Sequence, residues 1–200
     1  MPHIHNHLKF GNNKFNHNWK GKSDMHVATA IVAIIAVLTR GDWRNWEEYH
    51  TTLLFIALGN LVYNFLTANY FLWRLDADFI PNHTLTEMLY TFIVFPATIL
   101  IFLKDFPTHW FEKVFRNIKW IAIYGIWEYF FVLTGRIEYH YGWSLWWSIA
   151  FLCVMFPLLR LHQTRPLSSY LLSALVVIAI LWWFDVPVHV PVEVRNLEGS

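Results

Sequence analysis

Residues Trp73–Leu103 read WRLDADFIPNHTLTEMLYTFIVFPATILIFL, and the contrast between the two halves of this stretch decides the fold class. The second half, Thr84–Leu103, is apolar apart from Glu87 and has the length at which a helix crosses the hydrocarbon of a bilayer. The first half crowds Arg74, Asp76, Asp78 and His83 directly before it. Carboxylates and imidazole are costly in hydrocarbon, so polarity this concentrated belongs at a membrane boundary and marks residues that are used or paired.

Composition agrees with that reading. The chain has 200 residues, 56% hydrophobic, 19% aromatic and only 14% charged, which is far too apolar for a soluble domain. Its 12 tryptophans and 9 tyrosines suit two water–bilayer interfaces. A net charge of +1 gives no case for nucleic acid, and no motif calls for a cofactor. The single cysteine, Cys153, excludes an intrachain disulfide and reads as a small hydrophobe within an apolar run. The run His26–Thr39 is followed by Arg40, Gly41 and Asp42, not by a small-residue cleavage site, so it reads as part of the mature chain. Residues 1–25 form a His-rich arm whose His3, His5 and His7 could chelate a transition metal adventitiously, although a hydrated, disordered arm is the simpler reading.

Five segments have bilayer scale: Thr52–Trp73, Thr84–Leu103, Ile118–Thr134, Trp143–Leu159 and Leu167–Phe184. The expected fold is an all-α, polytopic transmembrane helical bundle occupying residues 26–184, with an extended tail from 185 to 200. His26–Thr39 is short for a span and is either an interfacial helix or a sixth crossing. If it does not cross, one side holds Lys9, Lys14, Lys20, Lys22, Arg40, Arg44, Lys104, Lys113, Arg116, Lys119, Arg160 and Arg165, and the other only Arg74, Arg136 and Arg195. That asymmetry puts the first group in the cytoplasm and the acids of the other loops outside. If it crosses, the four N-terminal lysines change sides and the bias nearly vanishes, so the bias favours five spans with the N-terminus inside and the C-terminus outside. The basic connector LKDFPTHWFEKVFRNIKW, Leu103–Trp120, reads as a short amphipathic helix on anionic headgroups.

Several constellations are candidates for chemistry. Asn60, Asn64 and Thr67 fall on one stripe of the first long helix, with Gly59 and Ala68 allowing a neighbour to approach closely; interhelical hydrogen bonding explains such a stripe as well as ligand contact does. His83 and Glu87 are one turn apart and with Asp76 or Asp78 could form a mixed nitrogen and oxygen site, while helix capping and ion pairing are the plainer explanation. HExxH is absent. Glu128 lies well inside a span, where it is a proton carrier, a ligand contact, or the acceptor of a hydrogen bond from Asn60, Asn64 or a tyrosine. Arg136, Glu138 and His140 alternate, so an extended loop could turn all three toward Asp76 and Asp78. Pro96 and Pro157 are expected to kink their spans.

The stretches GDWRNWEEYHTTLLF, LVYNFLTANYFLW, IPNHTLTEMLYTFIVFPATILIFL, GWSLWWSIAF, MFPLLRLH and WWFDVP resemble a family of small multi-spanning membrane proteins of spore-forming Gram-positive bacteria. The resemblance covers roughly residues 41–187 and implies membrane location and bacterial origin; it carries over no catalytic residue.

Three functions compete on this basis. The first is a bundle in the cell membrane with an outward polar vestibule, using Asn60, Asn64, Asp76, Asp78, His83, Glu87 and Glu128 to bind or help move a small polar or lipid-like ligand. The second is a metal-dependent hydrolase of lipid headgroups with His83, Glu87 and His140 on the metal. The third is an assembly or envelope protein whose aromatic faces meet another membrane protein or a second copy of the chain.

Overall fold

The computed structural model describes residues 25–76 and 83–195. Asp78, the His-rich arm and the last residues of the tail lie outside the described residues. Among those described, the protein is helical apart from one short ladder.

Helix α1 (Met25–Arg40) corresponds to the apolar run His26–Thr39. It travels in the same sense as the helix that follows the polar stretch, from His26 beside Tyr90 to Asp42, whose amide donates to the Leu100 carbonyl at 3.1 Å. The chain then bends by 94° into a 3-10 turn (Trp43–Tyr49) and α2 (His50–Leu66). Gly41 is required at the bend, because a Cβ there would lie 2.7 Å from the Val37 carbonyl oxygen.

Helix α2 is shorter than the expected Thr52–Trp73. It stops at Leu66, Asn69 takes a left-handed conformation (φ 59°), and Trp73 enters strand β1 (Trp73–Leu75). The freed carbonyls at the helix end are met from far along the chain. Arg195 donates to Leu66 O at 2.7 Å, Ala68 O at 3.3 Å and Val190 O at 2.9 Å, and Asn69 Nδ2 donates to Val192 O at 2.9 Å. The tail is therefore folded back over the end of α2.

Helices α3 (His83–Leu89) and α4 (Phe95–Phe102) are joined by a π-turn, Tyr90–Val94, into one rod. The distortion expected at Pro96 takes this form: proline has no N–H for the carbonyl one turn back, and the widened turn just before it absorbs the mismatch. Helix α5 (Trp110–Leu133) takes in the basic connector from Trp110 onward as well as the expected span, so that part of the connector is the first turns of a long helix, not a separate element. Arg116, on α5, donates to the carbonyls of Phe102 and Lys104 at 3.2 and 2.6 Å and closes the end of α4. Strand β2 (Ile137–Tyr139) follows, then α6 (Leu145–Thr164), which carries Pro157 without a break, and α7 (Pro166–Trp183).

Among the described residues three helices are long and apolar enough to cross a membrane: His83–Phe102, Leu145–Thr164 and Pro166–Trp183. The bent pair Met25–Arg40 and Trp43–Leu66 makes a fourth if it counts as one broken span. Of the five expected spans, the two that fall short do so for physical reasons. Helix α2 ends early, and α5 has Arg116, Lys119 and Glu128 among its apolar residues.

The core has three centres. Phe102, Ile99, Phe156 and Leu159 join α4 to α6. Ala30, Tyr90, Val94, Phe131 and Ile137 bring α1, the π-turn, α5 and β2 together. Leu72, Trp143, Phe184 and Val186 close the end of the bundle. There β1 and β2 pair antiparallel, Trp73 opposite Tyr139 and Arg74 opposite Glu138, so two loops distant in sequence make one ladder. Replacing Arg195 with alanine removes three bonds to carbonyls and leaves them without that donor; thermal unfolding in detergent is expected to show a loss of about 1–3 kcal/mol, with faster proteolysis after Val186.

Candidate functional site

A cavity of about 500 Å³ lies between α2, α6 and α7. Its wall is overwhelmingly hydrocarbon, with Phe151, Met155 and Leu158 of α6 at the back and Val177 and Leu181 of α7 opposite Val62 and Leu66 of α2. Along α2 it extends from Phe55 to Thr67, a helical rise of about 18 Å. Trp73 and Trp143 stand at one end and Phe55 and Tyr170 at the other. Gly59 helps to create the space. A Cβ at this position would meet nothing within 4 Å, so the glycine admits no close neighbour helix and widens the cavity instead.

One edge of the cavity is polar, formed by Asn60, Tyr63 and Thr67 of α2. The Thr67 hydroxyl donates to Tyr63 O at 2.7 Å. The Tyr63 hydroxyl both donates to Trp73 O at 2.8 Å and accepts from Trp73 N at 3.0 Å, while the two rings stack at 5.0 Å. Asn60 Nδ2 donates to the Thr91 hydroxyl at 2.8 Å and, at 3.4 Å, to Glu87 Oε2. The Thr91 hydroxyl in turn donates to Glu87 O at 2.7 Å, just inside the π-turn. Asn64, on the predicted stripe, turns its amide to Asn60 O of its own helix at 3.0 Å. Asn60 and Thr67 thus reach the cavity and Asn64 does not.

Glu87 is only 5% exposed and stands behind Asn60; its Oε1 has no hydrogen-bond partner among the described residues. Glu128 has different company. It accepts from the Tyr139 hydroxyl at 2.6 Å and from the Ser148 hydroxyl, which itself accepts from Trp143 Nε1 at 2.9 Å. Of the partners expected for Glu128, a tyrosine is found and the asparagines are not. Burial first, and then the adjacent Glu128 carboxyl, raise the Tyr139 hydroxyl above its ordinary value.

The remaining candidates disperse along the same end of the bundle. His83 Nδ1 meets Leu75 O at 3.0 Å, and its ring lies edge-on to Phe71. His140 is exposed beside Glu138 at 3.5 Å, and Glu138 pairs with Arg74 at 3.0 Å. Arg136 departs from the expected alternation: it is buried, with its carbonyl accepting from Asp76 N at 2.9 Å, whereas Glu138 faces outward. Asp76 and Arg136 both lie near His26, whose Nδ1 is 3.0 Å from the Tyr90 hydroxyl. Among the described residues no three His, Cys, Asp or Glu side chains gather so as to hold a metal ion, so His83, Glu87 and His140 do not form such a group. The residues missed in the sequence are those of the cavity wall, above all Ser173, Ala174 and Val177 of α7. Their only signal was small size within an apolar run.

Comparison with known proteins finds no matching family model, no matching curated protein and no matching solved structure.

Glu87 without Asn60 is a buried carboxyl that has lost its amide donor. Asn60→Leu is therefore expected to cost about 1–3 kcal/mol of stability, and Asn60→Leu with Glu87→Leu to regain most of it, because both polar partners are then replaced by hydrocarbon. Thermal denaturation of the two variants in the same detergent measures the difference.

Proposed function

We propose that this chain is a multi-pass protein of the cell membrane that binds, or helps to move, a lipid-like molecule in the cavity between α2, α6 and α7. The single observation behind this reading is the cavity itself: about 500 Å³, apolar over nearly all its wall, and elongated along helices of bilayer length. That volume is in the range of small-molecule sites. An extended hydrocarbon chain matches it better than a small polar solute, since Glu87 and Glu128 have their own protein neighbours and do not line it.

The distribution of cations supports an orientation. Arg40, Lys104, Arg116, Arg160 and Arg165 lie at the end where α1, α4 and α6 finish and where α5 and α7 begin. The opposite end has Arg74, Arg136 and Arg195 together with most of the candidate acids. On the positive-inside principle the loop cations place the first end in the cytoplasm; α1 then begins on the outer side, opposite to the arrangement the charge count favours, and with Lys9, Lys14, Lys20 and Lys22 ahead of it the bias is only eight against seven.

Two measurements test this. In a Cys153→Ser background, Lys104→Cys is expected to react with an impermeant maleimide only in inverted vesicles and Glu138→Cys only in right-side-out ones; the reverse pattern overturns the orientation. For the cavity, a lipid brominated along its chain is expected to quench tryptophan fluorescence saturably through Trp73 and Trp143. Gly59→Leu, whose Cβ meets nothing within 4 Å, is expected to remove the saturable part while leaving the melting temperature unchanged or raised.

A further inference from the structure

The wall of the cavity also restricts what the polar end of such a molecule can be. Resting on the cavity reading above, we infer that the ligand is a long-chain alcohol whose uncharged hydroxyl donates to Asn60 Oδ1. None of the residues lining the cavity is Lys, Arg, His, Asp or Glu. A carboxylate or phosphate drawn into it would lose its water and find no cation in exchange, a cost of several kcal/mol at least. The nearest buried ionisable group at this edge is Glu87, directly behind Asn60, and it offers an anionic head no positive charge.

The side-chain hydrogens of Asn60, Tyr63, Thr67 and Trp143 are already committed, whereas Trp73 Nε1 and the Tyr170 and Ser173 hydroxyls elsewhere on the wall can donate to a neutral oxygen. Asn60 Nδ2 serves Thr91 and Glu87, the Thr67 hydroxyl serves Tyr63 O, the Tyr63 hydroxyl serves Trp73 O, and Trp143 Nε1 serves Ser148. The Asn60 amide is held in this orientation by its two acceptors, and its Oδ1 bonds to nothing among the described residues. An incoming head must therefore bring a hydrogen to this atom. Hydroxyl and ammonium heads both carry one. An ammonium, however, needs direct contact with a carboxylate to offset its desolvation, and Glu87 is screened from the cavity by Asn60. A hydroxyl needs no counter-ion. The Ser173 hydroxyl on the facing wall gives the cavity another polar group that suits a neutral head.

The experiment compares three terminally brominated probes of equal chain length, an undecanol, an undecanoate and an undecylamine, as quenchers of tryptophan fluorescence in the purified full chain at mildly alkaline pH. The quantity compared is the saturable quenching that Gly59→Leu abolishes. The alcohol is expected to half-saturate at a concentration about tenfold below either charged probe, and Asn60→Leu to reduce that preference to about threefold or less. An acid or amine that binds as well as the alcohol overturns the assignment of the head and leaves the cavity reading in place. Quenching by every probe that is indifferent to Gly59→Leu overturns the cavity reading itself. If Asn60→Leu fails to fold, the ranking of the three probes on the unaltered chain still decides the matter.

Discussion

In a chain this apolar, a polar group placed inside has no water to fall back on, and the architecture follows from where each such group finds its partner. The carbonyls that α2 leaves free at Leu66 and Ala68 are met by Arg195. Those at the end of α4 are met by Arg116. Glu128 draws Tyr139 and Ser148 to itself and thereby links α5, β2 and the start of α6. Thr52 on α2 reaches His162 on α6 at 3.0 Å, and Ser169 at the start of α7 donates to Leu158 O at 3.1 Å. Each of these contacts crosses from one element to another. Hydrocarbon packing supplies the bulk of the core, and the polar contacts fix which helix lies against which.

How far the sequence could be read depended on whether the cause was local. The rods α3–α4, α6 and α7, and the short α1, are continuous apolar runs whose length alone defines them, and they lie within a few residues of where the runs predict. The end of α2 was not legible, because Phe71 and Trp73 continue the apolar run while the helix stops at Leu66 under the influence of an arginine near the other end of the chain. The β1–β2 ladder was hidden for the same reason: three-residue strands have no periodicity to read, and their partners are more than sixty positions apart.

The candidate site divides along the same line. Asn60 and Thr67 could be found from helical spacing, and both border the cavity. Spacing could not say that Asn64, on the same stripe, would bond to its own backbone, or that Gly59 would open a space instead of closing one. Acids that were adjacent on paper acquired separate partners once helices intervened. A cavity is set by the angles at which helices diverge, and no single segment contains that information.

Helix α7 has a place in this arrangement that its composition does not announce. It rests mainly on α6 and touches α2 through Tyr170 and Phe55, only 6% of its span is buried, and the contact with α6 is anchored near the tight turn at Arg165 and Pro166 through Ser169 and Tyr170. Its far end is held as well, Ile180, Leu181 and Phe184 packing with Leu72 and Trp143 and the Phe184 carbonyl accepting from the Tyr70 hydroxyl at 3.3 Å, so it is a rail pinned at both ends with bare hydrocarbon between. Between the pins little protein covers it, so the side of the cavity that α7 forms is a single helix thick.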